Sequence, residues 1–274
     1  MSWVSYNGEL IKEEEAKIPI KNKANFFDFS VYSSLKVIQN KTFFSKYHVD
    51  RLFESADLIG LGHDFEKEDV IKWINKLVEQ LEKKDFLLRI ILVGDAEKNK
   101  EAKLYIFPIT GITYYPNEYY SKGVKTVTYK GERLIPKAKT TNLLLGFLAL
   151  RKAKKNNALE ALLVDSDGNI REGTRSNFFA IKNNYLITPP DEKVLEGITK
   201  KIVLKVTKDE FDLKKENIPL DKIANYDEFF ITSTLFNVMP VKQIDGEELH
   251  SDFKKTKRIQ KLFKDYYHEN VLED

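Results

Sequence analysis

Residues 161–188 read ALLVDSDGNIREGTRSNFFAIKNNYLIT. Two hairpins are visible in this stretch. Ala161–Asp165 is an apolar strand, Ser166-Asp167-Gly168 a turn, and Asn169–Arg171 the return; Phe178–Lys182 turns at Asn183-Asn184 into Tyr185–Thr188. Asn, Asp and Gly tolerate the backbone angles that tight hairpin turns demand. Hairpins join antiparallel strands, so this half reads as mixed α/β and not as a doubly wound parallel sheet, which needs long helical crossovers. Between the hairpins lies Glu172-Gly173-Thr174-Arg175-Ser176-Asn177, an acid, a glycine and a row of short polar groups.

Working outward, Gly197–Asp209 has helical spacing, Glu228–Thr232 is a strand, Pro240–His250 a hairpin turned at Asp245-Gly246, and Asp252–Tyr267 a closing helix. Towards the N-terminus, Thr140–Asn156 reads as a helix with leucines at its start and Lys/Arg at its end, the placement the helix dipole favours. Gly123–Arg133 alternates as a strand does, and 111–122 reads as an interdomain linker whose tyrosines pack on a surface. In the first half, Trp3–Leu10 is a hairpin turned at Asn7-Gly8, and Ser45–Leu61 and Glu66–Lys84 are amphipathic helices. Phe86–Val93 and Lys103–Ile109 are strands separated by a charged loop at 95–101. The expected division is an N-terminal domain 1–110, a linker 111–122 and a C-terminal domain 123–274.

Composition narrows the chemistry. With no cysteine among 274 residues, disulfides, thiolate metal sites and cysteine nucleophiles are excluded. His48, His63, His250 and His268 are scattered without ligand spacing, so no metal site is expected. The chain holds seven arginines and 38 lysines against 42 Asp+Glu, for a net charge of +3. Such balance disfavours nucleic acid as a partner. No apolar run approaches the ~20 residues that span a bilayer, so no membrane role is expected and the cytoplasm is the expected compartment.

Besides 172–177, two further polar clusters stand out. In Ile135-Pro136-Lys137-Ala138-Lys139-Thr140-Thr141-Asn142, a lysine sits between a strand and an apolar helix. Gly197-Ile198-Thr199 at a helix start offers free N–H groups and a hydroxyl, and Thr232-Ser233-Thr234 ends a strand with more donors; together they suit an anion. Taken singly, each has a plain reading: surface lysine, turn acid, helix-start threonine, strand end. Their order is more telling.

That order, with Lys139-Thr140-Thr141-Asn142-Leu143, Glu172 to Phe179, Thr188-Pro189-Pro190, Leu195-Glu196-Gly197-Ile198-Thr199-Lys200, Asp227-Glu228-Phe229-Phe230 and Thr232 to Val241, resembles the fold-type IV pyridoxal-phosphate (PLP) enzymes. These are the class IV aminotransferases: branched-chain and D-amino-acid aminotransferases and aminodeoxychorismate lyases. His48-Val49-Asp50-Arg51-Leu52, with Ser55-Ala56, resembles the family's arginine helix. The resemblance implies a two-domain α/β (α+β) fold, with a small N-terminal α/β sandwich and a larger C-terminal mixed α/β pseudo-barrel. It implies PLP as cofactor, held by Lys139 through a Schiff base, with Glu172 at the pyridine nitrogen. Arg51, the Ile198 backbone, Thr199 and Thr234 would bind the phosphate, supported by Ser176 and Asn177. Tyr32 matches an aromatic near the substrate, and Arg89 and Leu235 stand where substrate contacts are expected. A lysine near its ordinary pKa of about 10.4 is a poor nucleophile until burial and nearby cations free the amine. Lys137 competes for the role, but Lys139 alone precedes Thr-Thr-Asn-Leu.

The chain departs from the family at Phe27–Ser34, which lacks the turn glycines and the acid after the aromatic. Val93-Gly94-Asp95 resembles branched-chain enzymes and stands in place of the Arg-x-His carboxylate trap of D-amino-acid aminotransferases. Arg175 replaces a small residue and reads as facing either phosphate or solvent. The expected activity is amino transfer between an amino acid, branched-chain or otherwise apolar, and a 2-oxo acid. Aminodeoxychorismate lyase, D-amino-acid transfer and a non-catalytic PLP fold are the alternatives. By resemblance, the partners are these small molecules and a second copy in a homodimer.

Overall fold

The computed structural model describes residues 2–82, 84–95, 102–249 and 252–270. Most of the charged loop 95–101, and His250, lie outside them. The chain forms two compact units, one of 1–113, 138–142 and 270–274, the other of 114–137 and 143–269.

The first unit is a six-stranded sheet with its two long helices packed on one face. Its strands are β1 (Trp3–Tyr6), β2 (Glu9–Lys12), β3 (Ser30–Ile38), β4 (Lys41–Thr42), β5 (Phe86–Val93) and β6 (Lys103–Gly111), ordered β2-β1-β6-β5-β3-β4. Asn7 and Gly8, at φ +48° and +90°, make the first hairpin turn expected from Asn-Gly. Besides the short α1 (Ala24–Phe27), the helices are α2 (Ser45–Leu58) and α3 (Lys67–Gln80). Val49, Leu52 and Ala56 of α2 and Val70, Ile74 and Leu77 of α3 recur at helical spacing and are fully buried against Val31, Leu35 and Val37 of β3. Strand alternation then sends Tyr32, Ser34 and Lys36 to the opposite face.

The second unit carries α4 (Asn117–Lys122), β7 (Val124–Lys130), α5 (Leu144–Lys155), β8 (Glu160–Val164), β9 (Asn169–Gly173), β10 (Asn177–Lys182) and β11 (Tyr185–Thr188). Then come α6 (Ile198–Thr207), β12 (Asp212–Lys215), β13 (Ile218–Pro219), β14 (Glu228–Ser233), β15 (Asn237–Ile244), β16 (Glu247–Glu248) and α7 (Lys254–Asn270). Strands β10-β14-β15-β7-β8-β9 follow one another, and pairing of Asn177 with Glu172 joins β10 back to β9. The result is a closed six-stranded ring, the barrel-like second half that the resemblance implied. Phe179 and Phe230 lie opposite each other on β10 and β14 with ring centroids 4.7 Å apart.

The helix expected over 140–156 begins only at Leu144. The polar lead-in is extended because Thr140 bridges to Val31 and the Thr141 N–H donates to the Ser30 carbonyl at 3.0 Å. Those β3 groups satisfy the backbone that a helix would otherwise have used. The first strand of the second unit likewise stops at Lys130, short of Arg133.

Candidate active site

In the first unit, the residues around Lys139 are fixed from both sides. The Tyr32 N–H donates to the Lys139 carbonyl at 2.9 Å, and the Lys139 N–H donates to Ser55 Oγ at 3.1 Å. Ser55 Oγ donates in turn to the Arg51 carbonyl one helical turn back on α2, at 2.7 Å. The backbone is pinned while the side chain stays half-buried, with its Nζ 4.7 Å from the Tyr32 ring centroid. The Arg89 guanidinium lies 4.8 Å from the same ring, and its Nε is 3.4 Å from Ser34 Oγ. Three of the expected residues, Tyr32, Arg89 and Lys139, thus share one aromatic platform, with cations attracted to the ring face. Lys137, the competing lysine, is exposed.

Arg51 is buried on α2, where its Nη2 donates to Ser33 Oγ at 2.9 Å. Ser33 Oγ is also 2.9 Å from His48 Nδ1. The serine oxygen accepts from Arg51 and shares one further hydrogen bond with the neutral imidazole, its direction set by the histidine tautomer. Burial, and then the charges of Arg51 and Lys139, hold His48 well below the usual histidine range. Ser33 therefore ties His48 and Arg51 together with a neutral group. His48 and Arg51 are three residues apart and share one helix face.

A histidine kept neutral when folded makes stability depend on pH. Below about 6.5 the unfolded chain takes up a proton that the folded chain refuses, so this group's contribution falls by up to ~1.4 kcal/mol per pH unit. Denaturant titrations at pH 7.5, 6.0 and 5.0 should show the wild type losing stability more steeply than His48→Gln. Parallel slopes would contradict the burial of a neutral His48.

In the second unit, the Glu172 carboxylate is buried at the end of β9. Its Oε2 accepts the Leu195 N–H at 3.1 Å, and its Oε1 is 3.7 Å from Nη1 of Arg133, a residue not anticipated from the sequence. Asn177 Nδ2 donates to the Leu195 carbonyl at 2.7 Å. Gly197 follows as the N-cap of α6, where a Cβ would come within 2.1 Å of Asn177 Oδ1, so the close approach requires glycine. No side chain caps this helix start, which leaves first-turn N–H groups beside the buried Thr199 hydroxyl. Thr234 and Leu235 are half-buried beyond β14, and the Ser233 Oγ accepts the Leu235 N–H at 3.0 Å. Ser176 is committed elsewhere, donating to Glu160 at 3.1 Å. Arg175 points to the same acid, with Nε at 3.8 Å, and its Nη2 is 3.4 Å from the Leu159 carbonyl.

These donor sets fit PLP chemically. The first unit holds a lysine amine over an aromatic ring and a buried, fixed arginine. The second holds a buried carboxylate linked through Leu195 to an uncapped helix start, with a threonine hydroxyl in its first turn.

The family model for amino-transferase class IV matches residues 30–244. A putative branched-chain-amino-acid aminotransferase of Methanocaldococcus jannaschii is 30% identical over 273 residues, 94% of each chain. A D-alanine aminotransferase of Staphylococcus epidermidis is 31% identical over 258 residues, 91% of each chain. The crystal structure of the branched-chain aminotransferase of Thermoproteus uzoniensis with norvaline superimposes with a TM-score of 0.86 at 25% identity, covering 99% of this chain and 95% of that one. The Thermobaculum terrenum branched-chain enzyme in its PLP form shares the fold, with a TM-score of 0.85 at 19% identity, covering 97% and 94%. The chain belongs to the class IV aminotransferases, and its chemistry is amino transfer dependent on PLP.

Proposed function

We propose that the chain transfers amino groups between apolar, branched-chain amino acids and 2-oxo acids, with Lys139 as the cofactor-binding and proton-shuttling residue. The observation that carries this reading is the placement of the Lys139 amine over Tyr32 beside Arg89, on a backbone pinned from two sides. When bound, PLP supplies an electron sink that no side chain provides. Lys139 moves the proton to and from the donor's α-carbon as general acid and base. Arg89 pairs with the substrate carboxylate, Leu235 lies next to that carboxylate, and Tyr32 lies near the substrate. Arg51 offers a fixed guanidinium fork to the phosphate. The Ile198 N–H, Thr199 and Thr234 supply further donors, and Glu172 holds the proton on the pyridine nitrogen. Ser176 and Asn177 support the turn between Glu172 and β10.

Branched-chain specificity is supported by the M. jannaschii relative, by the T. uzoniensis structure with the apolar amino acid norvaline, and by Val93-Gly94-Asp95 in place of an Arg-x-His trap. The D-alanine aminotransferase relatives favour a second reading, transfer from D-amino acids. A panel of L-leucine, L-valine, L-isoleucine and D-alanine, followed by loss of the cofactor's visible band, decides between them. Conversion by the L-amino acids alone is expected; conversion by D-alanine alone would establish the second reading. The division of the chain at 111–122 and a cytoplasmic site of action belong to the same proposal. Among the described residues, no helix is long and apolar enough to cross a membrane.

A homodimer is also part of this proposal. Leu144 (67% exposed), Phe147 (58%) and Leu148 on α5, with Leu134 (86%), leave apolar surface uncovered within the second unit. Phe147→Glu should therefore halve the mass measured by light scattering at micromolar concentration. An unchanged dimer mass would remove this face from the interface, and a monomeric wild type would remove the dimer.

A further inference from the structure

The acid that organises the Glu172 turn carries no signal in the sequence. Glu160 opens β8, an otherwise apolar strand, and is completely buried. Its Oε1 accepts the Ala161 N–H at 3.0 Å, the Thr174 N–H at 3.3 Å and the Thr174 hydroxyl at 2.6 Å. Its Oε2 accepts the Ser176 hydroxyl at 3.1 Å and faces Arg175 Nε at 3.8 Å. One carboxylate thus binds three consecutive residues of the turn joining β9 to β10. The turn closes on itself as the Gly173 N–H donates to the Ser176 carbonyl at 2.7 Å. Gly173 has to be glycine here, because a Cβ would lie 2.1 Å from Ser176 Oγ and 2.9 Å from Glu160 Cγ.

The two residues flanking this turn are Glu172 and Asn177, which pair across the closing β9–β10 bridge. Between them they hold both backbone groups of Leu195, the N–H by Glu172 and the carbonyl by Asn177. Leu195 lies two residues before the Gly197 N-cap of α6. A continuous set of hydrogen bonds therefore runs from Glu160 through the turn to the Glu172 carboxylate, and through Leu195 to the helix start that carries Ile198 and Thr199. A buried acceptor with this many donors is costly to disrupt and stiffens what it holds.

We infer that Glu160 is a positioning residue for the reaction: it sets the orientation of Glu172 and the place of the α6 N-terminus together, without itself touching substrate or cofactor. The inference rests on the proposed roles of Glu172, Ile198 and Thr199. Glu160→Gln keeps the shape but converts half of an all-acceptor group into a donor, set against a hydroxyl and an arginine that already donate. Thr174→Val removes a single donor from a half-buried site and serves as the milder variant should Glu160→Gln not fold.

The test compares wild type, Glu160→Gln and Thr174→Val in two ways. Amide hydrogen exchange on the cofactor-free proteins should accelerate at least about tenfold at 172–177 and 195–199 in both variants, with the strands of the first unit unchanged. On the PLP-loaded proteins, Glu160→Gln should lower kcat by about 10²-fold, the cost of slightly misplaced groups. KM for the amino donor should stay within about twofold, and the pH midpoint of the visible band should shift. Unchanged or globally uniform exchange would overturn the inference. So would localised exchange accompanied by wild-type kcat and an unshifted band. Absence of a visible band in the wild type would instead strike the proposed roles of Glu172 and Lys139, and the exchange data alone would then decide whether Glu160 holds the two segments.

Discussion

Lys139→Ala will fold like the wild type, fail to retain PLP after borohydride reduction, and lose at least ~10³-fold in kcat, within the range general acid–base catalysis contributes. The expectation of an intact fold comes from the contacts themselves. Lys139 is held through its backbone carbonyl and N–H, by Tyr32 and Ser55, and alanine keeps both. What is lost is an amine on a half-buried side chain that faces the Tyr32 ring and stands outside the apolar core of its unit. Circular dichroism and a denaturant titration should superimpose on the wild type while turnover disappears. Retained turnover in a cofactor-bound Lys139→Ala protein would move the chemistry to another lysine, with Lys137 the first to test.

The largest expected loss of stability comes from a different buried pair. Asp165 and Arg171 face each other across the β8–β9 hairpin, each about 3% exposed in its side chain. Asp165 Oδ1 also accepts the Asp167 and Asn169 N–H groups, at 3.0 and 2.8 Å, and Arg171 Nη1 donates to Asn217 Oδ1 at 2.6 Å. Burial pushes the Asp165 carboxyl up, but the Asn169 N–H and the Arg171 charge outweigh it and hold the group below its ordinary range. Asp165→Ala leaves the guanidinium buried without its counter-ion, which costs about 3–5 kcal/mol. At ~2–4 °C per kcal/mol for a chain of this size, the melting temperature should fall by about 10 °C. Replacing both partners, Asp165→Asn with Arg171→Met, should recover much of that loss because no unpaired charge remains. If the double variant is no more stable than Asp165→Ala, the hairpin depends on the pair's hydrogen bonds and not on charge balance. Arg171 immediately precedes Glu172, so the single variant should also weaken the cofactor site.

The parts of the fold legible in the sequence are those with a single exposed face. Helix α3 announces itself because Val70, Ile74 and Leu77 all point to one core, and the Asn7-Gly8 and Asp245-Gly246 turns because the backbone there has positive φ. Strand β3 does not, since polar Ser33, bonded to His48 and Arg51, interrupts the row of Val31, Leu35 and Val37 on the face that packs on α2 and α3. The start of α5 is misplaced by the sequence pattern because the helix competes with a distant strand for the backbone of Thr140 and Thr141, and a pattern along the chain does not contain that partner.

The candidate site divides in the same way. The roles proposed for Lys139, Glu172, Thr199 and Thr234 come from order and from neighbouring residues. Those of Ser33, Arg133 and Glu160 do not, because each acts through a partner distant in the chain, as Glu160 does 16 residues from Ser176. Ser55 is legible within the arginine helix, but its bond to the Lys139 N–H, 84 residues on, is not. Arg175, open to two readings, faces Glu160 from an exposed position.

The most direct test of Lys139 as the cofactor-binding lysine is to load the wild-type protein with PLP, reduce it with borohydride, digest it and locate the added phosphopyridoxyl mass. One modified peptide is expected, containing 138–142, with fragment ions placing the mass on Lys139. The same mass on Lys137 or on any other lysine, or no modified peptide at all, would contradict the assignment.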